Sequence, residues 1–100
     1  MAKIFLDPYG GEAFKDHINN LAEKIIYGID DGSYQWDDDD EGYVVPIGEL
    51  DYDFPEDDNE LATIGEKLAD ALPERIEELG VDLTLESESV IFRGNIIVVS

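Results

Sequence analysis

The sequence predicts an α+β domain: two helices packed on one face of a mostly antiparallel sheet of four to five strands, in the order β-α-β-β-α-β-β-β. Three observations carry this expectation. Apolar residues recur at helical steps of three and four in two stretches. Short β-branched or alternating runs bounded by Gly, Pro, Asn and Asp fill the remainder. Hydrophobic residues make up 43% of the 100 residues and aromatics 10%, which is too apolar for a disordered acidic tail and argues for a packed core. At this length the chain reads as one domain, 1–100.

The elements follow in order. Lys3 to Leu6 (KIFL) reads as a strand ended by the turn residues Asp7-Pro8-Tyr9-Gly10-Gly11. From Glu12 to about Ile29, Phe14, Ile18, Leu21, Ile25 and Ile29 form one apolar stripe, with Lys15, Asp16, Asn19, Asn20, Glu23 and Lys24 opposite. Asp30-Asp31-Gly32-Ser33 ends that helix, and 33–42 is an acidic loop or edge. Tyr43 to Ile47 is a strand whose Pro46 confines it to an edge or to its own end. In Glu49 to Phe54 the alternation sends Leu50, Tyr52 and Phe54 one way and Glu49, Asp51 and Asp53 the other. After Pro55-Glu56-Asp57, Asp58 or Asn59 suits the N-cap of a second helix with Leu61, Ile64, Leu68 and Leu72 inward. Pro73 either kinks that helix or starts a new one, and Gly80 closes it. Val81 to Leu85, Val90 to Arg93 and Ile96 to Val99 complete a β-meander, with a tight hairpin at Gly94-Asn95. Ile96-Ile97-Val98-Val99 is apolar on both faces, so it is a central strand or a covered edge; as an edge it offers a route to a homodimer.

Charge is the outstanding property. The chain has 26 Asp and Glu against 6 Lys and Arg, a formal net charge of −20. Self-repulsion at that charge opposes folding. Residues 30–60 hold 14 acids and no Lys or Arg, and their densest point is Trp36-Asp37-Asp38-Asp39-Asp40-Glu41. Acids also fall in rows. Glu49, Asp51 and Asp53 are about 6.6 Å apart if extended, and Asp82, Glu86 and Glu88 form a second such row flanking Thr84. Glu66, Asp70, Glu74 and Glu78 are about 6 Å apart if one helix runs through Pro73. These separations resemble those between successive phosphates of a nucleic-acid strand, although any charged row has them by geometry. The sign bias is the stronger signal.

Several chemistries find no support. Asp37, Asp39, Glu41 and Gly42 match the start of an EF-hand calcium loop, but the position that should carry the bidentate acid is Gly48, and Glu49 is one residue late. His17 is the single His, there is no Cys, and Ser33, Ser87, Ser89 and Ser100 lack a nucleophile motif. Acid pairs at glycosidase separations carry no specificity among 26 acids. No glycine loop for phosphate is present. The sequence therefore implies no catalytic residue, no cofactor and no specific metal. MAKIFLDPYGG is too short for a signal peptide or a membrane span, and with no Cys it suits a reducing cytoplasm, that of a bacterial or archaeal host cell. Anionic lipid and nucleic acid both repel such a surface, whereas the basic clefts that hold nucleic acid attract it.

The expected function is a non-enzymatic inhibitor that mimics nucleic acid and fills the basic cleft of a nucleic-acid-binding protein. In size, charge and lack of catalytic motif the chain is similar in kind to phage-encoded DNA mimics: anti-restriction proteins, anti-CRISPR proteins and uracil-DNA glycosylase inhibitors. Those proteins share no single fold, and no residue role carries over from them. An immunity protein or antitoxin against a basic nuclease is the alternative, with Tyr34, Trp36 and Tyr43 as aromatic anchors. Salt adaptation of a halophile is the third reading. The candidate partner-binding residues are Trp36, Asp37, Asp38, Asp39, Asp40, Glu41, Asp51, Asp53, Asp57 and Asp58, with Trp36 serving either as exposed anchor or as a lid on the core.

Overall fold

The computed structural model describes residues 3–100. Its elements are β1 (Ile4–Phe5), α1 (Glu12–Asp30), β2 (Trp36–Asp37), β3 (Gly42–Pro46), a 3-10 turn (Ile47–Glu49), β4 (Tyr52–Asp53), α2 (Asp58–Leu79), β5 (Val90–Arg93) and β6 (Ile96–Val99). Four strands form an antiparallel sheet in the order β2-β3-β6-β5, and β1 pairs with β4 in parallel as a separate two-stranded unit. This is the small α+β architecture that the periodicity predicts, with two differences in the element order.

The first difference is at 81–85. These residues alternate as a strand should, and Leu85 is buried while Val81 and Leu83 pack partly against the core. Among the described residues no neighbouring strand offers a ladder, however, and the Leu83 N–H turns back to the Val81 carbonyl at 3.0 Å. Alternation reports which side faces inward; it does not supply a partner. Asp82, Glu86 and Glu88 are consequently not a strand face, and Glu88 sits at a φ of 48°. The second difference is β2, a two-residue strand inside the acidic stretch.

Helix α1 buries Phe14, Ile18, Leu21, Ala22, Ile25, Ile26, Gly28 and Ile29, a wider stripe than the five expected positions. It ends where the Asp-Asp-Gly-Ser stretch predicts: Gly32 is at a φ of 86°, and the Ser33 N–H donates to Asp31 Oδ1 at 2.8 Å. The N-cap of α2 is Asp57, not Asp58 or Asn59. Its carboxylate accepts from the Asn59 and Glu60 N–H groups, which leaves Asp58 and Glu60 in the first turn where the helix dipole favours acids. The helix continues through Pro73, because Leu68 and Leu72 before it and Ile76 after it lie on one inward stripe. Packing of that stripe outweighs the bond lost at the Pro nitrogen. Gly80 closes the helix in the left-handed region.

The two helices pack on each other and on the inner sheet face, where Val45, Ile97 and Val99 are fully buried beneath them. The Arg75 guanidinium ties the helices together through Glu23 of α1 and Glu78 of α2. Strand β6 lies between β3 and β5. It is a central strand, which removes the proposed homodimer through its edge: both of its ladders are already occupied.

Two glycines permit close approach. A Cβ on Gly28 would lie 2.2 Å from the Tyr34 ring, and one on Gly65 would lie 2.9 Å from the Val90 carbonyl oxygen. In an exposed helix, Gly to Ala gains up to about 1 kcal/mol. Here the sign should reverse: Gly28→Ala should lose roughly 1–3 kcal/mol as an overpacked core, read by urea denaturation. Gly48→Ala, with open space around it, is the matched control and should be neutral or slightly stabilising.

Candidate partner-binding site

The residues 36–41 form the tip of a hairpin. Trp36 pairs with Tyr43 and Asp37 with Gly42, which leaves Asp38 to Glu41 as a four-residue loop. Local chemistry builds it. The Asp39 N–H donates to Asp37 Oδ1 at 2.9 Å, a side-chain turn typical of Asp. Glu41 takes the left-handed conformation at a φ of 57° that closes such loops. Gly42 must be small, because a Cβ there would lie 2.7 Å from Val98 Cγ1.

Trp36 is half exposed, at 50%. Its ring stands edge-on to Tyr43 with centroids 5.2 Å apart, and its indole N–H donates to Asp38 Oδ1 at 3.1 Å. It is therefore an exposed aromatic held in one orientation, and it does not close the core. Tyr34 does that instead. At 6% exposure it lies over Gly28, which removes it as a surface anchor. A glycine within an apolar helical stripe, a few residues before an aromatic, was the available signal.

One cation reaches the run. Arg93 Nη1 donates to Asp40 Oδ1 at 3.1 Å. Arg93 lies on β5, two strands away from β3, so the loop leans across the outer sheet face to meet it. Val98, on that face, is only 3% exposed although it lies outside the main core cluster, and its Cγ1 lies close to Gly42. The sequence distance between Asp40 and Arg93 hides this contact, because only the β3-β6-β5 order brings the two together. Among the described residues, Asp37, Asp38, Asp39 and Glu41 have no cationic partner.

The remaining candidates form a different group. Gly42 and Pro46 are four strand steps apart, about 13 Å, and the chain beyond Pro46 leads to the β1–β4 pair. There Asp51 and Asp53 are exposed, and their carbonyls accept from Ile4 and Leu6. Asp57 is spent on the α2 cap, and Asp58 opens that helix. The structure thus gathers Trp36 to Glu41 at one hairpin tip, Asp51 and Asp53 beside β1, and Asp57 and Asp58 at the start of α2.

The environment shifts two groups. The Ser33 hydroxyl and N–H hold the Asp31 carboxyl below its usual range. Burial, followed by the charges of Glu49, Asp31 and Asp51, pushes the Tyr34 phenol up. His17 Nδ1 lies 3.2 Å from the Tyr52 hydroxyl, linking α1 to β4. Among the described residues no group of three or more His, Asp or Glu side chains is placed to hold a metal ion, and no helix is long and apolar enough to cross a membrane. Comparison with protein-family models, with curated proteins and with solved structures finds no match to this chain.

Two outcomes follow. Changing Asp37, Asp38, Asp39 and Asp40 together to Asn should leave the fold intact or raise its urea midpoint at low salt, since the single exposed ion pair lost contributes at most about 1 kcal/mol. The Tyr34 phenol is protonated more tightly in the folded state. Its contribution is complete below the unfolded value of about 10 and is lost as pH rises through the elevated folded one. Tyr34→Phe should therefore move the alkaline unfolding midpoint to higher pH, as followed by circular dichroism.

Proposed function

We propose that this protein is a non-enzymatic acidic inhibitor that imitates nucleic acid and occupies the basic nucleic-acid-binding cleft of a target protein, in the manner of anti-restriction or anti-CRISPR proteins. The observation that carries this reading is the exposed hairpin tip. Four of its five carboxylates lack a cationic partner among the described residues, and it sits within a 31-residue segment, 30–60, that contains no Lys or Arg. Acids also stand where helix geometry disfavours them. Asp30 and Asp31 end α1 and Glu77 and Glu78 end α2, with no basic residue in either last turn. Stability alone would place Lys there, so the sign bias points to use by a partner.

In this reading the charge draws the protein to a basic cleft from beyond contact distance. Trp36 then supplies a rigid aromatic contact beside Asp37, Asp38 and Asp39. That combination also supports a second reading, an immunity protein or antitoxin against a basic nuclease, for which a compact acidic patch with an aromatic anchor is the expected form.

Competition with nucleic acid is the test. A basic partner captured at low salt should be released near about 0.5 M NaCl, where the screening length falls to a few ångströms. Duplex DNA should compete for its cleft. The Asp37–Asp40 to Asn variant should bind it several-fold or more weakly, mainly through slower association. Affinity that is unchanged by salt and by this variant would overturn the proposal. Capture only of a nuclease, without DNA competition, would favour the immunity reading. Unfolding of the free protein below molar salt, with no basic partner bound, would instead assign the charge to salt adaptation.

A further inference from the structure

Trp36 borders a hollow of about 260 Å³ that the segment 84–87 also lines. Strand register places it. Trp36 pairs with Tyr43, and Tyr43 with Val99, so these three side chains share the inner sheet face. Helix α2 packs on β5, at the far edge of that face. At the β2 edge, Thr84 to Ser87 stand beside the two rings instead. That segment is pinned on both sides. Leu85 is buried in the core, and Ser89 exchanges both backbone hydrogen bonds with Ser100 at 3.0 Å. A stretch without a ladder of its own thereby gains a fixed place.

The hollow combines aromatic surface with a carboxylate. The half-exposed indole of Trp36 is held by Asp38 Oδ1 and stands edge-on to Tyr43, at an interplanar angle of 86°. An edge-on pair covers at most one face of the indole, so the other stays clear of Tyr43. Glu86 and Ser87 line the hollow and are exposed, while the buried Leu85 lies between them and the core. Among the described residues, Glu86 has no ion pair and no Lys or Arg lines the hollow.

We infer that this hollow takes an arginine side chain of the basic partner, with its guanidinium stacked on Trp36 and its charge facing Glu86. A planar, delocalised cation suits an indole face, and Trp is the strongest of the aromatic partners for a cation. The Glu86 carboxylate and the Ser87 hydroxyl accept its N–H donors. Charge selects the occupant. A second copy brings another −20 to the contact, whereas a basic protein is attracted. The inference rests on the reading that the hairpin faces such a protein, and it adds discrimination to it. Long-range attraction draws the chain to any basic cleft, but a seated arginine singles out a cleft that presents one at this place.

Capped Gly-X-Gly peptides with arginine, lysine or citrulline at X are the probes. Arginine and lysine carry equal charge, and citrulline is planar but neutral. Titration at low salt followed by NMR reads the peptide side chain and the indole N–H of the single Trp. The arginine peptide should bind roughly threefold tighter than the lysine peptide. Its δ-methylene protons should move upfield in the indole ring current and show nuclear Overhauser contacts to Trp36. The citrulline peptide should not bind measurably. Trp36→Leu should remove the upfield shift and level the arginine and lysine affinities. Glu86→Gln, at an exposed position outside the helices and strands, should weaken the arginine peptide about twofold even if Trp36→Leu fails to fold. Equal affinity for arginine and lysine without an upfield shift would overturn the inference, as would an upfield shift that survives Trp36→Leu. So would an indole N–H that moves with protein concentration in the absence of peptide, which would assign the hollow to a second copy. The titration reads the hollow alone, so it can fail while DNA still competes for a captured partner, and that competition can fail while the arginine still seats.

Discussion

A charge of −20 is held on a body 31 × 30 × 27 Å in extent, and one apolar layer between the helices and the sheet opposes the resulting repulsion. Everything else in the structure serves that layer or stays out of its way. Leu21, Ile25 and Ile26 of α1, Ile64, Leu68 and Leu72 of α2, and Val45, Ile97 and Val99 of the sheet are fully or almost fully buried. The glycines at 28 and 65 let an aromatic ring and a strand approach the helices closely. Three of the six Lys and Arg residues act as cross-links: Arg75 joins the helices, Arg93 holds the hairpin loop, and Lys3 reaches the Gly48 carbonyl. Each joins segments far apart in sequence, where one favourable contact restrains the most chain.

Most of this layer is legible in the sequence because it follows from period. A stripe at steps of three and four defines both helices, and Gly80 and the Asp-Asp-Gly-Ser stretch mark their ends. Alternation correctly separates buried Leu50 and Tyr52 from exposed Glu49, Asp51 and Asp53, although only Tyr52 and Asp53 pair as a strand. What period does not report is pairing. The 81–85 segment has the inward face of a strand but no neighbour, whereas Trp36 and Asp37, hidden in a charge run, do have one. Pro73 shows the same limit from the other side, since a local helix breaker sits inside a helix that tertiary packing completes.

The candidate site was legible in composition but not in shape. The run Asp37 to Glu41 announces itself, yet its form depends on Gly42, on the left-handed Glu41 and on Arg93 more than fifty residues away. Tyr34 and Trp36, two residues apart, have opposite fates: one lies against Gly28 in the core and the other stands half exposed over Tyr43. The acidic surface also has a protective aspect. Sheet edges invite self-pairing; at β5 the Val90 carbonyl lies against Gly65 of α2, and a uniform negative charge discourages edge pairing more broadly than any single blocking residue.

The central place of β6 has a kinetic consequence. Pro46 pairs with Ile96 and Tyr43 with Val99, partners fifty or more residues apart in the chain. The contacts that complete the sheet are therefore of high contact order, and they require closure of a loop that contains the whole of α2. The helices and the β2–β3 and β5–β6 hairpins can form from local interactions, but the β3–β6 ladder that joins the two hairpins cannot. A folding intermediate of this protein would hold its helices while β3 waits, unpaired on one side, for the last strand to arrive.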